Sequence, residues 1–141
     1  MDAGTEPEAR EDEAGYLKAY IRFLRDFAPE WDGMEWSGWA VCGGVPFAGT
    51  ADRFGSVRGR RAILDIKTGQ LHGAALACQL TGYGEILTQR TGEQAAEYLA
   101  LQLSRDGTYR LMRVRRNYPL LSLCMALHQR LKEEKTYLER I

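Results

Sequence analysis

Apolar and polar residues alternate along this chain with two different periods, and the places where the period changes mark the elements. From Ala14 to Phe27, the residues Tyr16, Leu17, Tyr20, Ile21, Phe23, Leu24 and Phe27 recur at helical spacing. They predict an amphipathic helix with an aromatic stripe in the core and lysine and arginine on its outer side. Pro29 ends it, because the residue before a proline is pushed out of the helical region. Glu35 to Cys42 alternates loosely around Trp36 and Trp39 and reads as the first strand. Gly43-Gly44 makes a turn, with Pro46 just beyond. A second strand is expected from about Phe47 to Val57 and a third from about Arg61 to Lys67, broken by Thr68-Gly69.

His72 to Gln89 then reads as a helix rich in small residues. Gly82 and Gly84 inside it cost roughly 1 kcal/mol each against alanine, so close packing on a neighbour is expected to offset them. Glu97 to Ser104 alternates as a strand, Asp106-Gly107 signals a hairpin, and Tyr109 to Arg115 returns. Asn117-Tyr118-Pro119 opens a last helix with Asn117 as its N-cap. Its buried stripe is expected to be Leu120, Leu123, Cys124, Leu127 and Leu131. The order αβββαββα defines an α+β fold class. Met1 to Glu13 is polar and acidic and reads as a disordered tail, which leaves residues 14–141 as a single domain.

Composition changes this picture in three ways. A chain of 141 residues that is 45% apolar supports one real core, and it has no apolar run of membrane-spanning length. The acidic first residues show no signal-peptide pattern. Cys42, Cys78 and Cys124 are widely spaced and form no CxxC, so they read as buried reduced thiols rather than a zinc or iron–sulfur site. The formal net charge of zero hides a division: the first 35 residues carry ten acids and four bases, the rest nine and fifteen. Those later bases are mostly arginine, which suits phosphate, so a nucleic-acid partner is compatible with the neutral whole.

Candidate chemistry gathers on the second and third strands. Asp65 and Lys67 are two apart and share one face of a strand, while Leu64 and Ile66 take the other. Cross-strand pairing can bring Asp52 close to Asp65. Two carboxylates and an ammonium in one small area are costly to desolvate, and the like charges repel. A divalent cation between the carboxylates removes that difficulty. Gln79 and Tyr83 are four apart and lie on one helix face. His72 and His128 have no partner pattern and read as structural.

GTADRFG (residues 49–55), ILDIKTG (residues 63–69) and a helix carrying QLTGY (residues 79–83) together resemble the PD-(D/E)xK nuclease superfamily, in particular its RecB-like and phage exonuclease branch. The resemblance spans roughly residues 14 to 115 and implies a restriction-endonuclease-like mixed sheet flanked by helices. It implies that Asp52 and Asp65 bind Mg2+ or Mn2+ with the backbone carbonyl of Ile66, and that Glu35 is a further candidate ligand. Lys67 would assist the attacking water, and Gln79 and Tyr83 would support the lysine and contact substrate.

The implied activity is metal-dependent DNA phosphodiester hydrolysis in recombination or repair, in the cytoplasm of a bacterium or a phage-infected host, with homo-oligomerisation compatible. Arg53, Arg58, Arg60 and Arg61 are candidate DNA contacts; the basic groups around residues 58–61 and 113–116 read equally well as exposed faces. The first helix lacks the histidine that RecB-like members often carry, and the four cysteines of the iron–sulfur branch are missing. The alternative is a catalytically weak or inactive protein of the same fold that binds nucleic acid or serves assembly.

Overall fold

The computed structural model describes residues 7–133 and 139–141, with side chains from residue 13 onward. Its elements are α1 (Pro7–Phe27), β1 (Glu30–Cys42), β2 (Val45–Val57), β3 (Arg60–Lys67), α2 (Gly73–Thr91), β4 (Glu97–Leu103), β5 (Tyr109–Arg113) and α3 (Tyr118–Lys132). The strands form one five-stranded sheet in the order β1-β2-β3-β4-β5. All neighbours are antiparallel except β3 and β4, which run parallel with α2 as the crossover. The α+β order expected from the sequence is therefore the order found.

Burial divides along the two faces of the sheet. On one face Ala19 and Phe23 of α1 pack with Val57, Ala62, Leu64, Leu99, Leu101 and Leu103. Phe27 and Tyr109 stand edge-on there, with Tyr109 Oη donating to Asp26 at 2.6 Å. On the other face Ala51, Phe54, Ile63 and Tyr98 pack with Leu80 and Leu87 of α2. Neighbours on β3 thus go to opposite layers, Ile63 to α2 and Leu64 to α1.

Gly84 shows why α2 tolerates glycine. A Cβ there would stand 2.6 Å from Tyr98 Oη and 2.7 Å from Tyr98 Cε1, so the helix reaches its seat on β4 only without a side chain. The expected close approach is real.

Three expectations are corrected. The first helix starts at Pro7 rather than Ala14, so residues 7–13 are helical instead of tail; residues 1–6 lie outside the described residues. Proline suits a first helical position and acidic residues suit a helix N-terminus, which the acidic composition masked. The first strand starts at Glu30, five residues early, because the chain turns at Ala28 (φ 44) and enters the sheet at once. The expected stripe of α3 is not its buried face. Leu121 is its buried residue, Leu120 and Cys124 are half-buried, and Leu123, Leu127 and Leu131 are exposed. The helix lies on α2 through the line containing Leu121 and Cys124, one position round from the leucine stripe. Its start is as expected: Asn117 Oδ1 accepts the Leu120 N–H at 3.0 Å.

Candidate active site

Pleating puts Asp65 and Lys67 beyond Ile63 on the α2 face of β3. The β2–β3 ladder runs from Val57↔Arg60 to Arg53↔Leu64, and one further step sets Asp52 opposite Asp65. Asp52 is not paired through its backbone there. Its Oδ2 accepts the Ile66 N–H at 2.7 Å, so the carboxylate closes the gap where the ladder stops. In an extended strand a residue's N–H and C=O point to the same edge. The Ile66 carbonyl therefore faces the gap that Asp52 enters. Behind it, Arg53 is braced by the Tyr20 hydroxyl (Nε–Oη 3.1 Å) and donates to the Asp52 carbonyl at 2.8 Å.

Asp65 is 2% exposed. Its Oδ2 lies 3.1 Å from Lys67 Nζ, yet that buried oxygen has no well-aligned hydrogen bond. Distance makes this an ion pair, and the angle keeps it from satisfying the oxygen. Burial pushes the Asp65 carboxyl up to about 6; Lys67 pulls it down, and nearby Asp52 pushes it up again. Lys67 reaches outward and is 37% exposed. Gln79 Nε2 donates to the Tyr83 hydroxyl at 2.6 Å. Burial raises Tyr83 above the ordinary phenol range, and both carboxylates and the lysine act on it electrostatically. Its ring lies against β2 at Gly49, where a Cβ would come within 2.9 Å of Tyr83 Cε1. Asp52, Asp65, Lys67, Gln79 and Tyr83 thus form one neighbourhood on the α2 face.

Glu35 is placed differently. It is exposed, with φ 53, and both Glu35 and Asp52 are missing from the β1–β2 ladder between Met34↔Arg53 and Trp36↔Ala51. A left-handed φ at a non-glycine residue is strained backbone. Among the described residues no three acidic, histidine or cysteine side chains are grouped closely enough to share an ion. Glu35 thus stands opposite Asp52 in the register but does not form a three-acid group with Asp52 and Asp65.

The candidate DNA arginines have internal partners. Besides the Arg53 contacts, Arg58 stacks on the Phe27 ring at 4.1 Å. Arg60 meets Glu97 at 3.0 Å. Arg61 bonds Glu93 at 2.6 Å, Ser56 at 3.0 Å, and Asp32. The turn carrying Arg58, Arg60 and Arg61 is also at the opposite end of β3, roughly 17 Å along the strand from Asp65. The other basic group is likewise tied down, with Arg113 on Glu97 and Arg116 on Glu85, each at 2.6 Å.

Sequence reasoning missed Gln102. It pairs with Lys67 in the β3–β4 register, donates to the Gly69 carbonyl at 2.9 Å and accepts from Arg110 at 3.0 Å. It pins the turn that follows the lysine. The available signal was one amide inside the otherwise apolar run of β4. The cysteines form no disulfide. Burial and the neighbouring Cys124 push the Cys78 thiol up to about 12, so it carries little thiolate.

No family model matches the sequence, and no curated protein does. Among solved structures the chain resembles a protein of Eubacterium rectale described as a putative exonuclease, with TM-score 0.65 and 17% identity over 95% of this chain. It spans 56% of that protein. A looser likeness to the protein SSO0001 has TM-score 0.48 at 16% identity, over 96% of this chain and 62% of the other. The first likeness shows a shared fold. No helix among the described residues is long and apolar enough to cross a membrane.

Proposed function

We propose that this chain hydrolyses DNA phosphodiester bonds with the help of a divalent ion, Mg2+ or Mn2+, as an exonuclease of the RecB-like and phage type that acts in recombination or repair. The observation that carries this reading is Asp65: a buried carboxylate with one poorly satisfied oxygen, an acidic neighbour, and only a half-exposed lysine to balance it. A fold keeps such a group at a cost unless something else completes it. An oxygen-only donor set of Asp52, Asp65 and the Ile66 carbonyl suits a hard dication. The fold shared with a protein described as a putative exonuclease adds support.

When bound, the ion supplies charge relief on the phosphoryl oxygens and a more acidic water. The residues of this chain do the rest. Asp52, locked by the Ile66 N–H, stays aimed at the gap without side-chain reorganisation. Lys67, tethered to Asp65, holds a positive charge on the open side, where a phosphate oxygen or the attacking water would accept a hydrogen bond from it. Tyr83, held by Gln79 and packed on Gly49, walls the site and excludes water from the Asp65 side.

The test is to incubate the protein with end-labelled linear DNA and with circular DNA, in Mg2+, Mn2+ or EDTA, beside Asp65→Ala and Lys67→Ala. Metal-dependent cutting of linear DNA that both substitutions abolish is the expected result. Cutting of circles would make it an endonuclease. Binding without cutting in every condition would leave only the fold-retaining, non-catalytic role.

A further inference from the structure

A cavity of about 640 Å3 lies between the start of β2, α2 and α3, with Gln79 and Tyr83 in its wall. Resting on the nuclease reading above, we propose that it receives an unstacked nucleobase of the strand being cut, and so directs the site to single-stranded or frayed DNA ends.

Four observations carry this. The cavity shares a wall with the site, because Gln79 and Tyr83 line it, they are hydrogen-bonded to each other, and Tyr83 lies within electrostatic reach of Asp65, Asp52 and Lys67. Its lining is flat and soft: the rings of Phe47 and Tyr83 on one side, and Met125 on the other. Aromatic faces stack on any base, and a thioether adapts to an aromatic edge. Its volume falls in the range of about 300–1,000 Å3 typical of small-molecule sites. Its α3 rim carries His128 and Lys132, four apart and both exposed, so an imidazole N–H and an ammonium stand where the phosphates flanking a buried base would pass.

Gly82 forms part of the floor, between Phe47 and Leu121. This path also fits the arginines: those around residues 58–61 are engaged by internal partners at the far end of β3, whereas this rim belongs to the cavity that Gln79 and Tyr83 line.

The experiment uses the intact protein and a set of single strands that differ in one abasic residue, moved stepwise past the scissile bond. A matching set carries 2-aminopurine in place of the missing base. One position should stand out, where loss of the base lowers kcat/KM about 5- to 100-fold and where 2-aminopurine emission changes saturably on binding. Cys124→Phe, which projects a ring into the cavity, should lose both the abasic discrimination and the emission change. Lys132→Ala should weaken binding and flatten its salt dependence. If a strand is cut well and no abasic position costs even twofold, the inference is overturned while the nuclease reading stands. Should Cys124→Phe fail to fold, the abasic series on the native protein decides alone. Absence of all cutting sinks the nuclease reading. The 2-aminopurine titration then still judges the cavity: a saturable change supports it and none overturns it.

Discussion

Asp65 and Glu97 are two buried carboxylates on adjacent strands, and they are treated in opposite ways. Glu97, 7% exposed, sits under a cover of guanidinium groups. Arg113 grips it with two bonds, at 2.6 and 3.1 Å, and Arg60 adds a third contact at 3.0 Å. Arg113 holds its carboxyl below the usual range. Asp65 has one lysine, an acidic neighbour and an oxygen without an aligned partner, and its carboxyl is raised. The sheet can satisfy a buried acid fully, and at the N-terminal end of β3 it does so. At the C-terminal end of the same strand it does not. One carboxylate is a structural tie, and the other is poised for a ligand.

The sharpest way to break this comparison is to neutralise each acid in turn. Asp65→Asn should lower DNA cutting by at least about 10^3-fold, while raising metal-free stability at pH 7.5 by on the order of 1–3 kcal/mol. The measurements are single-turnover cleavage and chemical denaturation. Glu97→Gln should do the reverse: its melting temperature falls by a few degrees, and cutting per folded molecule changes less than twofold. Equal effects of the two substitutions on cutting would dissolve the distinction.

The pH dependence sharpens it further. The Asp65 value near 6 lies above its ordinary 3.8, so the folded protein holds this proton more tightly than the unfolded chain does. Its contribution to stability is therefore greatest below about pH 4 and is lost as pH rises to about 6. Glu97, with its value lowered, runs the other way: its contribution is present above the ordinary glutamate range and is lost on acidification. Mn2+ binding should weaken as pH falls through about 6, where the metal-free Asp65 takes up its proton. Lys67→Met should move that loss to higher pH, because the lysine holds the Asp65 value down. A binding profile with an unchanged midpoint in that variant contradicts the assigned pair. A smaller loss of cutting than at Asp65 is expected for Tyr83→Phe, which removes only the Gln79 bond: roughly a tenfold fall in kcat with a melting temperature within a few degrees, read by steady-state kinetics and thermal melting.

The same two ends of β3 explain what could be read in advance. The face shared by Asp65 and Lys67 follows from a period of two, and the hairpin joining β2 to β3 places Asp52, so this cluster was legible from local pattern. Gly84 was legible as a packing site because its cost demanded a cause. The arginine turn was not. Whether Arg61 meets a phosphate or Asp32 and Glu93 depends on elements about thirty residues away in either direction. The leucines of α3 failed for a related reason: periodicity identifies an apolar stripe but not the element that covers it, and α2 takes the adjacent line instead. The left-handed Glu35 has no local signal at all, since nothing in Met-Glu-Trp asks for a positive φ.

The central claim is that Asp52 and Asp65 complete their site with one hard dication, and Mn2+ binding followed by electron paramagnetic resonance tests it most directly. The account predicts one ion per chain at pH 7.5, displaced by Mg2+ and lost in both Asp52→Asn and Asp65→Asn, with Glu97→Gln binding as the unmodified protein does. Binding that survives both substitutions, or no binding by the unmodified protein at millimolar Mn2+, would contradict it.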